Sequence, residues 1–280
     1  MKNDPALFSA TELLGAYQRK TLSPVEVTKA TLARIDKFNP QFNAFRLIDA
    51  EKALTDAKAS EERWIKGEPA GLVDGVPSTI KDLVDTKGWS TRRGSLTTSD
   101  NGTWENDAPL VARLRENGAV LLGKTTTPEF GWKGVTDSPL TGITRNPWNP
   151  EKTPGGSSGG AAAAAAACLG ALHHGSDGGG SIRMPSGYTG IYGLKPTFGR
   201  VPTWPASGFG TLSHQGPMTR TVSDAALMLT VMAQTDSRDW YALPASETNW
   251  CSYVTKSVKG WNCLLYTSDV ADEPLCVDLG

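Results

Sequence analysis

Two clusters of small residues constrain this chain more than anything else in it. Gly155-Gly-Ser-Ser-Gly-Gly160 runs into seven consecutive alanines, Ala161 to Ala167, and Gly175-Ser-Asp-Gly-Gly-Gly-Ser-Ile-Arg-Met-Pro185 follows shortly after. Ordering glycine costs more conformational entropy than ordering any other residue, and a flexible linker this rich in it is usually polar as well. The alanine run argues against a linker. Alanine is the strongest helix former and allows backbones to approach closely, so the glycines read as tight turns around a packed helix. Two such turns, joined by one helix and one short strand, can bring serine hydroxyls together. The glycines before Ser181 also leave several backbone N–H groups unobstructed, which is the raw material of an oxyanion hole.

Around this segment helices and strands alternate. Ser9 and Glu12 have capping-box spacing, with Leu13, Leu14 and Tyr17 as an apolar face. Ser23 and Glu26 repeat the signal with Pro24 at the first helical position, and the spacing predicts a helix that Asn39-Pro40 stops. A third helix is predicted from Asp49 to Lys66, a strand over 78–84, and a helix over 107–117 ending at Gly118. The unbroken apolar run Ala119 to Leu122 predicts a buried strand, and Ser223 to Met232 a last capped helix. The alternation favours a mixed α/β sheet with helical cover.

Composition excludes several function classes. A hydrophobic content of 39% with 20% charged residues suits a globular protein, and no stretch approaches the roughly 20 apolar residues of a membrane helix. The N-terminus lacks the apolar core of a signal peptide, so a cytoplasmic location is expected. A formal charge of −1 gives no reason to expect direct nucleic-acid binding or a membrane surface. The four cysteines have neither disulfide-framework nor metal-ligand spacing, and Cys168 reads as a small packed residue.

Two short patterns mislead. Gly118 to Thr125 satisfies G-x-x-x-x-G-K-[ST], but a phosphate loop must follow a strand, and here Ala119 to Leu122 places the strand between the glycines. The stretch therefore reads as a buried strand with a lysine at its end. Gly155 to Gly159 contains G-x-S-x-G, yet the proline-rich residues before it cannot form the strand of a nucleophile elbow. His173 and His174 also follow too closely to complete that triad.

The longer segments are more specific. GVPSTIKD, GKTTTPEFGW, NPWNPEKTPGGSSGGAAAA and GSDGGGSIRMPSGYTGIYGLKPTFGRVP resemble the amidase signature family, in family order, from about residue 5 to about residue 250. The resemblance implies an α/β amidase-signature fold, a mixed central sheet covered by helices on both faces. It implies a Ser–cis-Ser–Lys triad in which Lys81 is the base, Ser157 the bridging serine on a cis peptide and Ser181 the nucleophile. The backbone N–H groups of Gly178, Gly179, Gly180 and Ser181 correspond to the oxyanion hole. It implies hydrolysis of a small-molecule carboxamide through an acyl-serine, with no metal and no cofactor, and leaves a homodimer open. Within the family, the alternative is the glutamine-hydrolysing subunit of a tRNA-dependent amidotransferase, against which Met184 counts because that subfamily usually has glutamine there. Ser176 and Gly178 depart from the family's frequent threonine and larger aliphatic residue, and neither side chain is expected to do chemistry.

The chemistry imposes a requirement. A serine hydroxyl needs a base, and a lysine can serve only when neutral. Its pKa must fall from about 10.4 to near 7, roughly 4 kcal/mol of differential desolvation, which an enclosed site supplies. Asp82, Asp177 and Arg183 read as ion-paired loop supports.

The last eighteen residues, CLLYTSDVADEPLCVDLG, resemble the translation of a transposase-based sequencing adapter, with Pro274 and Leu275 where a variable index falls. LLY would also suit a strand. Residues 1–262 are therefore expected to be an amidase signature domain, incomplete at its C-terminus, and 263–280 a non-native tail excluded from fold reasoning.

Overall fold

The computed structural model describes residues 4–265 and 275–278. The capping boxes form as expected. Ser9 caps α1 (Ala10–Gln18) and Ser23 caps α2 (Pro24–Phe42), each with its glutamate reaching back. Helix α2 does not stop at Pro40. It continues for half a turn because Pro40 removes one N–H near a helix end and its fixed φ is already helical. Phe42 is buried and stacks on Phe38, centroids 6.1 Å apart, and Asn43 closes the helix at φ 51°. After β1 (Phe45–Ile48), Asp49 caps α3 (Ala50–Lys66), and Gly67 ends it at φ 76°.

Strand β2 (Pro77–Lys81) is buried at all five residues and shorter than expected. The Val84 N–H bonds the Lys81 carbonyl at 3.1 Å, so the chain turns immediately after the lysine. Then follow α4 (Pro109–Glu116), β3 (Val120–Thr125) and a two-residue ladder of β4 (Asp137–Ser138) with β5 (Gly142–Ile143). The alanine run forms α5 (Gly159–Ala166), with Ala161 to Ala165 fully buried. Gly160 permits this, since a Cβ there would fall on the Thr126 backbone. Cys168 follows, half-buried, at φ 57°.

Strand β6 (Leu172–Asp177), α6 (Arg183–Thr189), β7 (Tyr192–Gly193), β8 (His214–Thr219) and α7 (Val222–Met232) complete the main body. Thr221, not a residue inside the expected span, caps α7. The sheet order is β1-β3-β2-β6-β8-β7, with β3, β2 and β6 parallel and the outer pairs antiparallel. It is the mixed sheet expected, and helices cover both faces. On one side Leu121 and Ile80 pack with Leu13, Leu114 and Met228 of α1, α4 and α7. On the other, Val120 and Leu122 pack with Ile35, Ala57 and Ala163 of α2, α3 and α5. The alternation along β3 is the period-2 geometry of a strand buried on both sides.

Among the described residues no helix is long and apolar enough to cross a membrane. Strands β9 (Asn262–Leu265) and β10 (Leu275–Asp278) pair antiparallel, and β9 takes in Leu264 and Leu265. The rest of the adapter-like stretch, 266–274 and 279–280, lies outside the described residues.

Candidate active site

The site lies at the carboxyl ends of the parallel strands, where open α/β sheets commonly bind ligands. Lys81 is the last residue of β2 and wholly buried, while Ser176 and Asp177 end β6. Ser157 and Ser158 precede α5. The Gly156–Ser157 peptide is cis, as the resemblance implied. A Cβ at Gly156 would lie 2.7 Å from the carbonyl carbon of Val135, so only glycine fits there.

Four oxygens surround Lys81 Nζ. Ser157 Oγ lies at 2.7 Å, Ser158 Oγ at 2.8 Å, Ser176 Oγ at 3.0 Å and the Ser176 carbonyl at 3.4 Å. Ser158 forgoes the N-cap bond to α5. Its hydroxyl accepts from Lys81, donates to the Ser176 carbonyl at 3.1 Å and accepts the Ser176 N–H at 3.2 Å. Ser158 and the Ser176 side chain are the contacts that sequence reasoning missed; the doubled serine of GGSSGG was the available signal. Burial lowers the Lys81 pKa to about 7, against a smaller upward pull from Asp177. The positive end of the α5 dipole acts in the same direction as burial.

Behind Lys81, the His174 Nδ1 accepts the Lys81 backbone N–H at 3.4 Å, which leaves Nε2 to donate to Gln215 Oε1 at 2.8 Å. Burial pushes His174 down to about 3, helped by the nearby lysines, so it is a neutral spacer. His173 is likewise lowered to about 3 by burial and pairs with Thr79 at 2.9 Å.

The loop bearing Ser181 is held by Asp177. Its carboxylate accepts from Arg183 Nε and Nη2, both at 2.9 Å, and from the N–H groups of Gly180 at 2.7 Å and Ile182 at 3.1 Å. Burial alone would raise Asp177, but Arg183 and these amides hold it far below the usual carboxylate range. The expected ion pair is therefore present. One expectation needs correction: the Gly180 N–H is committed to Asp177 and does not point at a ligand. Among the described hydrogen bonds, the N–H groups of Gly178, Gly179 and Ser181 have no protein acceptor. These three residues also line the cavity, and Gly180, at φ 110°, does not.

Asp82 is the other expected support. It takes Arg46 bidentately, at 3.1 and 2.9 Å, and lies 3.6 Å from Lys124. Lys124, the lysine of the false phosphate loop, is buried within β3 and donates to the Val84 carbonyl at 2.8 Å and to Thr91 Oγ1. Burial pushes it down to about 7, outweighing an Asp82 already committed to Arg46.

Ser157 and Ser181 open onto one cavity of about 530 Å³. Its walls carry Leu83, Phe130, Trp132, Trp204 and Phe209, with Arg93 as a cation. Ser181 is 9% exposed, and Ser158 N–H donates to its carbonyl at 3.2 Å, which ties the two serine loops together. A buried lysine of lowered pKa, a serine bonded to it, and a second serine beside free amides can together perform nucleophilic acyl transfer.

The sequence pattern of the family described as Amidase matches residues 26–274. The chain belongs to the amidase signature family. It is 44% identical over 276 residues to an acylamidase of Rhodococcus erythropolis, covering 97% of this chain and 58% of that protein. Against a glutamyl-tRNA(Gln) amidotransferase subunit of Methylococcus capsulatus it is 45% identical over 229 residues, 81% of this chain and 47% of that protein. Among solved structures of amidase signature enzymes, a bacterial aryl acylamidase superposes with a TM-score of 0.84 at 34% identity, covering 90% of this chain and 53% of that one. The chain spans about half the length of the curated relatives it matches.

Proposed function

We propose that this chain carries the reacting groups of a cytoplasmic serine amidase, which hydrolyses a small carboxamide to a carboxylic acid and ammonia or an amine. The observation that carries the reading is Lys81 Nζ 2.7 Å from Ser157 Oγ, in a site where burial brings the lysine to about 7. Neutral Lys81 takes the Ser157 proton as Ser157 takes that of Ser181, and Ser181 Oγ attacks the amide carbon. The N–H groups of Gly178, Gly179 and Ser181 receive the developing oxyanion. Lys81, now protonated, returns its proton through Ser157 to the leaving nitrogen as the C–N bond breaks. Water then attacks the acyl-serine with the same base, releasing acid and Ser181.

Covalent labelling by a fluorophosphonate tests this in the full-length protein. The label is expected on Ser181 and lost in Ser181→Ala; a label that survives the substitution removes Ser181 from the nucleophile role. The 280 residues alone are proposed to be inactive, with 263–280 a non-native tail. Measurable hydrolysis by residues 1–262 would refute the first part, and native sequence across 263–280 the second.

A glutamine-hydrolysing role within an amidotransferase is the second reading, favoured by the glutamyl-tRNA(Gln) amidotransferase subunits among the relatives. Ammonia release from glutamine, set against simple aryl and aliphatic amides, separates the two.

A further inference from the structure

Trp132 and Phe209 come from two different loops and both line the cavity. Their ring centroids are 5.3 Å apart and their planes 20° from parallel, an offset stack. Trp132 is 78% exposed. It follows Gly131, where a Cβ would stand 3.4 Å from Ser157 Oγ. Phe209 stands between Gly208 and Gly210, and its ring leans on Gly178, where a Cβ would lie 3.8 Å from Phe209 Cγ. The stack thus arches from the serine that contacts Lys81 to the backbone beside the nucleophile.

Gly178 is not a glycine for conformational reasons. Its φ lies outside the left-handed region, unlike Gly180 at φ 110°, and neither it nor Gly179 would meet any atom closer than 3.6 Å with a Cβ. The bare backbone leaves a flat wall beside Ser181 and two free amides.

The geometry points to Trp132 and Phe209 as the residues that select a planar aromatic group on the amide. This rests on the amidase reading and names its substrate class. A flat ring extends an offset stack; a saturated ring of equal size buries similar area without the face-to-face contact.

Phenylacetamide and cyclohexylacetamide differ in the ring alone. Their binding to the full-length Ser181→Ala protein is measured by titration calorimetry, and kcat/KM on the unsubstituted protein. Phenylacetamide is expected to be favoured about 3- to 10-fold in both. Trp132→Leu and Phe209→Leu should each bring the ratio toward one, and Phe209→Tyr should keep it. A ratio of one in the unsubstituted protein, or a ratio that both leucine variants leave unchanged, overturns the proposal. Preferential binding without fluorophosphonate labelling would sink the amidase reading and leave the ring selection standing. Labelling and hydrolysis without preference would do the reverse.

Discussion

Ser158 Oγ lies 2.8 Å from Lys81 Nζ, nearly as close as Ser157 Oγ at 2.7 Å. The two adjacent serines therefore hold one lysine, but they differ in what else they can do. The Ser158 hydroxyl also bonds both backbone groups of Ser176, whereas Ser157 faces the cavity that Ser181 opens onto. Among the described hydrogen bonds the Ser157 hydroxyl has no protein partner but Lys81, which suits it to the proposed relay.

Alanine substitution should separate these roles. Lys81→Ala and Ser157→Ala are each expected to slow acylation about 10²- to 10⁴-fold, the usual range for a positioned general base. Ser158→Ala should slow it less and change its pH dependence. Single-turnover release of amine from a reactive amide measures all three. Equal losses in Ser157→Ala and Ser158→Ala would count against a relay through Ser157.

The pH dependence follows from the lysine. Protonated Lys81 cannot accept a proton, so acylation should rise with pH through about 7 and then level off. Ser158 accepts a hydrogen bond that favours the ammonium, so Ser158→Ala should lower the pKa further and move the rise to lower pH. Stability has a related signature. Between about 7 and about 10.5 the unfolded chain holds protons that buried Lys81 and Lys124 have lost, so stability should increase with pH across that window. Chemical denaturation at a series of pH values would show it, and Lys81→Met should reduce the slope.

Much of this was legible because it is local. Ser9 with Glu12 and Ser23 with Glu26 fix helix starts through bonds three residues long, and the run to Leu122 marks a buried strand wherever it is placed. Pro40 misled because its cost depends on its distance from the helix end, which Phe42 decides by being buried. At the site, the motif order placed Lys81, Ser157 and Ser181 in one constellation. It could not assign the Gly180 amide, which Asp177 takes because the turn brings a carboxylate back onto it. Nor could it find Ser176, whose contact with Lys81 depends on β2 and β6 ending side by side.

Asp177→Asn should weaken the loop that bears Ser181 more than an exposed ion pair would suggest. Arg183 is 55% exposed, so its own attraction is screened and contributes little. The larger loss is at the backbone, where the Gly180 and Ile182 amides donate to different carboxylate oxygens, so asparagine would turn its NH2 group toward one of them, at about 1–3 kcal/mol per buried group left unmatched. Because Asp177 titrates far below the usual carboxylate range, its contribution is complete above about pH 4 and falls away only in strong acid. Thermal unfolding near neutral pH should show a clear drop for Asp177→Asn, and Arg183→Lys should lose less. An unchanged melting temperature would mean the loop holds without its carboxylate.

The alanine helix gives the sharpest test of packing. Ala163 and Ala164 are wholly buried and belong to the core cluster that α5 shares with β3, α2 and α3. Their helix also carries Ser157 and Ser158 at its leading end. Ala164→Leu would force three extra carbons into close-packed space, at about 1–3 kcal/mol, by pushing α5 away from the sheet. That movement displaces both serines from Lys81, although neither is mutated. The variant is therefore expected to lose acylation rate out of proportion to its loss of stability, whereas Ala166→Leu, at a partly exposed position on the same helix, should affect both less. Melting temperature and fluorophosphonate labelling rate, measured on the same samples, decide it. Full labelling rate in a destabilised Ala164→Leu protein would show that the serines are held by their own loop rather than by the helix.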